Sequence, residues 1–466
     1  MSRDATRTMP PLRSVAALMA ATFPGPFCYS AIGVAVPSLA AEFALSPGEV
    51  QWAASAFIAA MMGGMLVANA VLARQGLRRS LAIAAVGFSA ATVLATAAPA
   101  FIALVLLQFA MGAFAGLMQP IAMVTLYRAY PDALRGRATS VYGVSIAVVS
   151  TLAPALAGLA IDLASWRALF LVPLPLALAG LLAARWAHDD GVRSHSRPDV
   201  AGLALLWIAL LALLALDVHA QLRGWALPLA LALACGAAFV VRLRRVAHPL
   251  VDPTLFRHAG FAAAALVAMR YGALMFGLVY LVPVYVQIAL GSSPSVAGAV
   301  LLPAGIALGV AVFVAGRAVD RWSHRPVLVA GFVVLAITCA LLGTPAASAA
   351  IALVALWSAI GRAGIGFVFG GLNAGATRLV PDSALAQVPG LVNFFRMLGG
   401  ALGVKALSLI VDLRLGEAAH DAATRAAAFA PAFLLLALLA ACAVPLALRM
   451  HARHAGDAVT RAPDAP

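Results

Sequence analysis

Apolar residues along this chain come in long blocks separated by short clusters of charged and turn-forming residues. Blocks fall at 14–39, 50–72, 80–98, 100–127, 137–161 and 166–187, then at 200–219 and 226–242, and finally at 260–287, 295–317, 327–345, 350–375, 387–411 and 427–448. Most reach the roughly 20 residues that an α-helix needs to cross the hydrocarbon core of a bilayer. The pattern predicts an all-α polytopic membrane protein of about fourteen transmembrane helices. It also divides the chain: a polar tail at 1–13, six helices over 14–187, a linker at 188–199, a helix pair at 200–242, a linker at 243–259, six more helices over 260–448 and a tail at 449–466. The first block is long and lacks a small-residue cleavage site, so it reads as a retained helix rather than a removed signal peptide.

Composition excludes a soluble globular domain. Apolar residues make up 64% and charged residues 10%, against about 45–50% and about 25% in soluble domains. The net charge of +14 would suggest nucleic acid in a soluble protein, but its distribution follows the positive-inside pattern of membrane proteins instead. With the N-terminus placed in the cytoplasm, the opposite side holds only Arg167, Arg223, Arg414 and Arg425 among the 31 basic residues. An even span count returns the C-terminus to the cytoplasm, and the expected location is a cell inner membrane. The four cysteines (Cys28, Cys235, Cys339, Cys442) have no CxxC spacing, the histidines have no ligand spacing, and no Gly-rich loop ends in Lys-Ser/Thr. No metal, cofactor, nucleotide or nucleic acid is therefore expected, and nothing points to an enzyme. The expected partners are the lipid bilayer and a small-molecule substrate, with H+ as the candidate coupling ion.

The chain also resembles itself. Gln75-Gly76-Leu77-Arg78-Arg79 and Asp320-Arg321-Trp322-Ser323-His324-Arg325 each close a block, and Pro131-Asp132 and Pro381-Asp382 follow at similar distances. Two related six-helix halves with an inserted pair account for this, and such repeats place substrate near the midplane between rocking halves.

Several segments, in order, resemble the major facilitator superfamily, in particular its 14-helix drug:proton antiporter branch. They include Val34-Ala35-Val36-Pro37-Ser38-Leu39 with Gln51-Trp52, Arg135-Gly136-Arg137-Ala138, Trp166-Arg167, Asp199 with Gly202, Pro249-Leu250-Val251-Asp252, and Gly399-Gly400-Ala401-Leu402-Gly403-Val404. The resemblance implies a secondary transporter, most simply an exporter of small organic or drug-like compounds, a multidrug-resistance antiporter driven by an ion gradient. It also implies a cytoplasmic gate motif, matched by Gly316, Asp320, Arg321 and Arg325. In the first half Ala73 replaces the acid, leaving Arg74, Arg78 and Arg79. A carboxylate among guanidinium groups at helix ends can lock two helices in one state and release them in another; plain positive-inside topology is the competing explanation. The branch's helix 5 motif survives as Pro154 and Gly158, which read first as packing features.

The departures bear on mechanism. Cys28 stands where the resemblance places an aspartate in helix 1, and Gln108 where it places an arginine in helix 4. None of the 17 acidic residues lies near the centre of a predicted span, although a proton-exchanging carboxylate normally sits in the pathway. The spans carry cations instead. Arg270 and Arg362 lie near mid-span, where a charge costs roughly 2.5–3.5 kcal/mol and should face the bundle interior. Each reads either as an anion-binding guanidinium in the substrate cavity or as a structural arginine. The same alternatives hold for Arg396 and for Lys405, which points away from Arg396 at helical spacing. Cys28, Tyr29, Tyr271 and Gln108 complete the candidate pathway. These cations predict a bias towards anionic or neutral amphipathic substrates. The alternatives are an uptake carrier or facilitator for an organic anion, and a transporter-like sensor that does not move its ligand.

Overall fold

The computed structural model describes residues 12–45, 47–129, 163–186, 199–215, 222–246, 249–257, 259–292, 294–344, 350–380, 388–417 and 422–450, with a few positions between 149 and 161. Regular structure among them is entirely helical. The helices are α1 (Leu12–Thr22), α2 (Pro24–Phe43), α3 (Pro47–Thr96), α4 (Phe101–Ala129), α5 (Trp166–Leu171), α6 (Leu174–Trp186), α7 (Val200–Leu214), α8 (Leu222–Arg245), α9 (Ala259–Ile288), α10 (Pro294–Trp322), α11 (His324–Leu342), α12 (Ile351–Thr377), α13 (Val388–Glu417) and α14 (Ala422–Leu448). Nine helices among the described residues are long and apolar enough to cross a membrane. Every apolar block except 137–161 coincides with a described helix; that block falls almost wholly outside the described residues.

Several blocks differ from simple spans; block 166–187, for one, is divided into α5 and α6. Block 14–39 is divided into α1 and α2 at Phe23, because Pro24 and Pro26 lack the N–H groups that would continue the helical ladder. Blocks 50–72 and 80–98 both lie in α3, which turns a corner at Gly76 (φ 76°, ψ 171°). The Ser80 hydroxyl donates to the Gly76 and Val71 carbonyls there, at 2.7 and 3.2 Å. Ser323, between α10 and α11, adopts almost the same backbone (φ 79°, ψ 169°). These two positions are separated by the same offset, to within a residue, as the Arg-rich loops that contain them. Glycine enters that region freely, whereas a serine there stores about 1–3 kcal/mol of strain.

Helices in lipid gain little from hydrophobic burial against one another, so close backbone approach at small residues holds them. On α4, a Cβ at Gly112 or Gly116 would lie 2.2 Å from the Phe57 or Met61 carbonyl oxygen of α3. The α9–α13 seam is reciprocal: Gly272 faces the Arg396 carbonyl (1.8 Å to an added Cβ) and Gly399 faces that of Met269 (1.9 Å). Gly366 and Gly370 of α12 pack in the same way on Ala311 and Ala315 of α10.

The 200–242 pair is tied by electrostatics. Asp199 caps α7 through the Gly202 amide (2.9 Å) and accepts from Arg242 Nε of α8 (2.7 Å). This gives the Asp199–Gly202 pattern a structural role. Trp207 then docks α7 onto α3 over Gly63 and meets Phe109 edge-on at 4.8 Å. The predicted linker at 243–259 begins later than expected, since α8 continues to Arg245. Asp252 accepts from the Thr254 amide and hydroxyl to start a short 3₁₀ turn, and Phe256 packs on Phe261 and Phe395.

Candidate functional site

Near the middle of α12, Arg362 is 7% exposed, and its Nε and Nη1 have no hydrogen-bond partner among the described residues. It forms no ion pair among them either. The phenols of Tyr271 on α9 and Tyr29 on α2 lie within electrostatic reach. Tyr271 is buried and leans on Phe369 of α12 (6.4 Å), while half-buried Tyr29 meets Phe276 of α9 edge-on at 5.4 Å. Three of the predicted pathway residues are thus brought together, from helices of both six-helix sets. The site is aromatic-walled and carries a guanidinium with unused donors.

The other predicted pathway residues are placed differently. Arg270 is half-buried and donates through Nη1 to the Leu266 carbonyl of its own helix at 3.2 Å, the structural alternative for this residue. Arg396 is 3% exposed with Nε unpartnered among the described residues, and its own backbone forms the seam with Gly272. Lys405 is half-buried further along α13. Cys28 is buried as a free thiol, and Gln108 is buried with its side-chain oxygen unpartnered among the described residues.

The gate-motif residues lie at the junction of α10 and α11. Gly316 is buried and Asp320 and Arg321 are exposed. Arg325 donates through Nε to the Met450 carbonyl (3.0 Å), and His324 Nε2 lies 3.1 Å from the same oxygen. Both side chains hold the chain just past the end of α14, where they meet a carbonyl that the helix does not use. In the first set Arg74, Arg78 and Arg79 are exposed around the Gly76 corner. Pro154 and Gly158 lie outside the described residues.

At the other end of the bundle is a cluster whose pairing the linear pattern did not reveal. Glu42, at the end of α2, accepts two hydrogen bonds from Arg167 (2.6 and 3.0 Å) and one from the Trp166 indole. Those donors hold the Glu42 carboxyl below its ordinary value of 4.5. Arg167 also covers the Trp166 ring at 4.4 Å, and Phe43 packs on Phe101 and Trp166. A cavity of ≈ 530 Å³ lies beside this cluster, lined by Trp52, Phe101, Ile102, Leu106, Phe109 and Leu211 among others. It is apolar, touches α7 at Leu211, and is lined by none of the predicted pathway residues.

Gln119 is the polar residue that the linear reading passed over. It is wholly buried in α4, and both atoms of its amide are unpartnered among the described residues. The available signal was a glutamine directly before a proline inside an apolar block.

Membrane-length helices joined at glycine seams, with a buried cationic and aromatic centre between the two sets, define a polytopic membrane transporter. The family profile of the Major Facilitator Superfamily matches residues 18–404, and the chain belongs to that superfamily. It is 25% identical to the tetracenomycin C resistance and export protein of Streptomyces glaucescens, over 84% of this chain and 74% of that protein. It is 27% identical to a probable actinorhodin transporter of Streptomyces coelicolor (85% and 72%) and 26% identical to a multidrug resistance protein B homolog of Mycobacterium tuberculosis (86% and 76%). Its fold resembles that of the proton:xylose symporter XylE bound to 6-bromo-6-deoxy-D-glucose, with a TM-score of 0.62 at 17% identity, covering 92% of this chain and 95% of that one.

Proposed function

We propose that this transporter exports a small organic compound bearing an anionic group, using an ion gradient, with H+ as the leading candidate. The carrying observation is Arg362: a guanidinium buried mid-helix with two nitrogens lacking acceptors among the described residues. A buried cation in a membrane interior is strongly disfavoured unless a partner compensates it, and an anionic ligand is the partner that this site lacks. Tyr29, Tyr271 and Phe276 supply aromatic surface for the apolar part of such a ligand. The export direction rests on relatives described as resistance and export proteins. No acidic residue lies near a predicted span centre, so coupling does not follow the usual carboxylate route; net movement of an anion against a proton gradient remains compatible with the arginines present.

The test is flux in proteoliposomes with and without an imposed pH gradient, using 2-naphthoate as an anionic probe and ethidium as a cationic one. Wild type moves 2-naphthoate, and Arg362→Ala reduces that flux at least about tenfold, the scale of one lost charge-assisted hydrogen bond. Ethidium transport that is equal in wild type and Arg362→Ala, with no 2-naphthoate flux in either, would overturn the reading. The sign of accumulation under the gradient separates export from uptake.

A further inference from the structure

Gln119 has an amide that no described residue uses. Its side chain is 0% exposed, and neither Oε1 nor Nε2 has a hydrogen-bond partner among the described residues. A buried amide without partners costs about 1–3 kcal/mol on mutational scales, and a membrane interior offers no bulk water to relieve it. Two features keep the group open. Pro120, the next residue, cannot donate to the Gly116 carbonyl, so the helix frees a backbone acceptor beside it. On the facing helix stands Gly25, where an added Cβ would lie 3.0 Å from Gln119 Nε2 and 3.3 Å from Met61 Sδ. A side chain at position 25 would crowd the amide, and glycine leaves it room.

The place of Gln119 relative to Arg362 follows from α2. Gly25 and Tyr29 are four residues apart, one helical turn or about 6 Å, and therefore on one face. Gly25 borders Gln119, and Tyr29 reaches the Arg362 field and touches Phe276. One face of α2 thus borders Gln119 at Gly25 and the Arg362 field at Tyr29.

We infer that Gln119 is a specificity-determining contact, recognising a neutral hydrogen-bonding group (hydroxyl or carbonyl) at the end of the substrate remote from its anion. This rests on the reading of Arg362 as the anion site. An amide that both donates and accepts suits a hydroxyl or a carbonyl equally. A site built around such a group rejects an analogue lacking it, because the amide is again left unpaired.

The test measures equilibrium binding of two matched probes, 2-naphthoate and 6-hydroxy-2-naphthoate, to the purified full-length protein. Wild type binds the hydroxylated probe at least about tenfold more tightly, the scale of one buried hydrogen bond. Gln119→Leu brings the two affinities to within about twofold by weakening the hydroxylated probe, and Arg362→Ala weakens both. If Gln119→Leu does not yield folded protein, Gln119→Met, which keeps the unbranched shape, takes its place. Equal binding of the two probes by wild type, or an undiminished preference in the Gln119 variant, overturns the inference while leaving Arg362 as the anion site. Absence of binding of either probe to wild type overturns both readings together.

Discussion

Charged side chains in this protein divide into those whose partners are protein groups and those whose partners are not. Glu42 belongs to the first kind: two bonds from Arg167 and one from Trp166 fasten the end of α2 to the start of α5. Because these donors lower its folded-state pKa, the linkage has a definite sign. Their contribution to stability is full above the ordinary value of 4.5 and disappears as pH falls through the lower folded-state value. Wild type should therefore melt at a higher temperature than Glu42→Gln at about pH 7, with the gap narrowing as pH falls below 4.5. A gap that stays constant as the pH falls, measured by thermal melting in detergent, would show that the Glu42 carboxylate charge does not stabilise the fold. Arg362 belongs to the second kind, and the neutral amide of Gln119 resembles it in having polar atoms with no hydrogen-bond partner among the described residues. Sequence revealed Arg362, because a charge in an apolar block is conspicuous. Gln119 was obscured because a neutral amide hardly disturbs a hydropathy pattern. The Glu42–Arg167 pairing was invisible for another reason: its partners stand more than a hundred positions apart, and only folding brings them together.

At the scale of helices, glycine position matters more than glycine number. At Gly272 an added Cβ would sit 1.8 Å from a backbone oxygen of α13, which cannot move without the whole helix. Gly272→Ala should cost about 3 kcal/mol or more, beyond the usual 1–3 kcal/mol of overpacking, and markedly lower the melting temperature or the yield of folded protein. Gly236 in α8 and Gly309 in α10 meet nothing within 4 Å. There Gly→Ala should gain about 0.5–1 kcal/mol from reduced chain entropy. Melting curves of the three variants check the contrast; equal effects would show that the seams are not closely packed. Block lengths made most of these helices and their order legible in advance. What the blocks did not convey was how they join: Pro24 and Pro26 divide one, and two others meet directly at a sharp non-helical corner at Gly76. Hydropathy averages over a turn or more, whereas such corners depend on a single dihedral angle or a missing N–H. The gate loop shows the same limit. Its charge pattern was legible, but the partner of Arg325, the last helix's carbonyl at Met450, is a backbone group that no side-chain motif encodes.

For the whole molecule, the informative contact is the one between the start of α13 and α3. An added Cβ at Gly390 would lie 2.6 Å from the Met65 carbonyl, and the space left among Met65, Asn69, Pro120, Leu250 and Leu391 is only ≈ 10 Å³, room for at most about one water. Charge distribution predicts that this end of the helices faces the cytoplasm. The start of α13 and α3 are pressed together there. If transport proceeds by rocking of the two sets around a central site, this contact must open once per cycle. A Met65→Cys, Leu391→Cys pair, in protein whose Cys28, Cys235, Cys339 and Cys442 have been replaced, places one thiol on each side of the seam. A short thiol crosslinker should stop 2-naphthoate flux in proteoliposomes, and a cleavable version should restore it on reduction. Each single-cysteine variant should remain active under the same treatment. Undiminished flux in fully crosslinked protein would show that the seam never opens, and the two sets would then have to pass substrate by some motion other than rocking about Arg362.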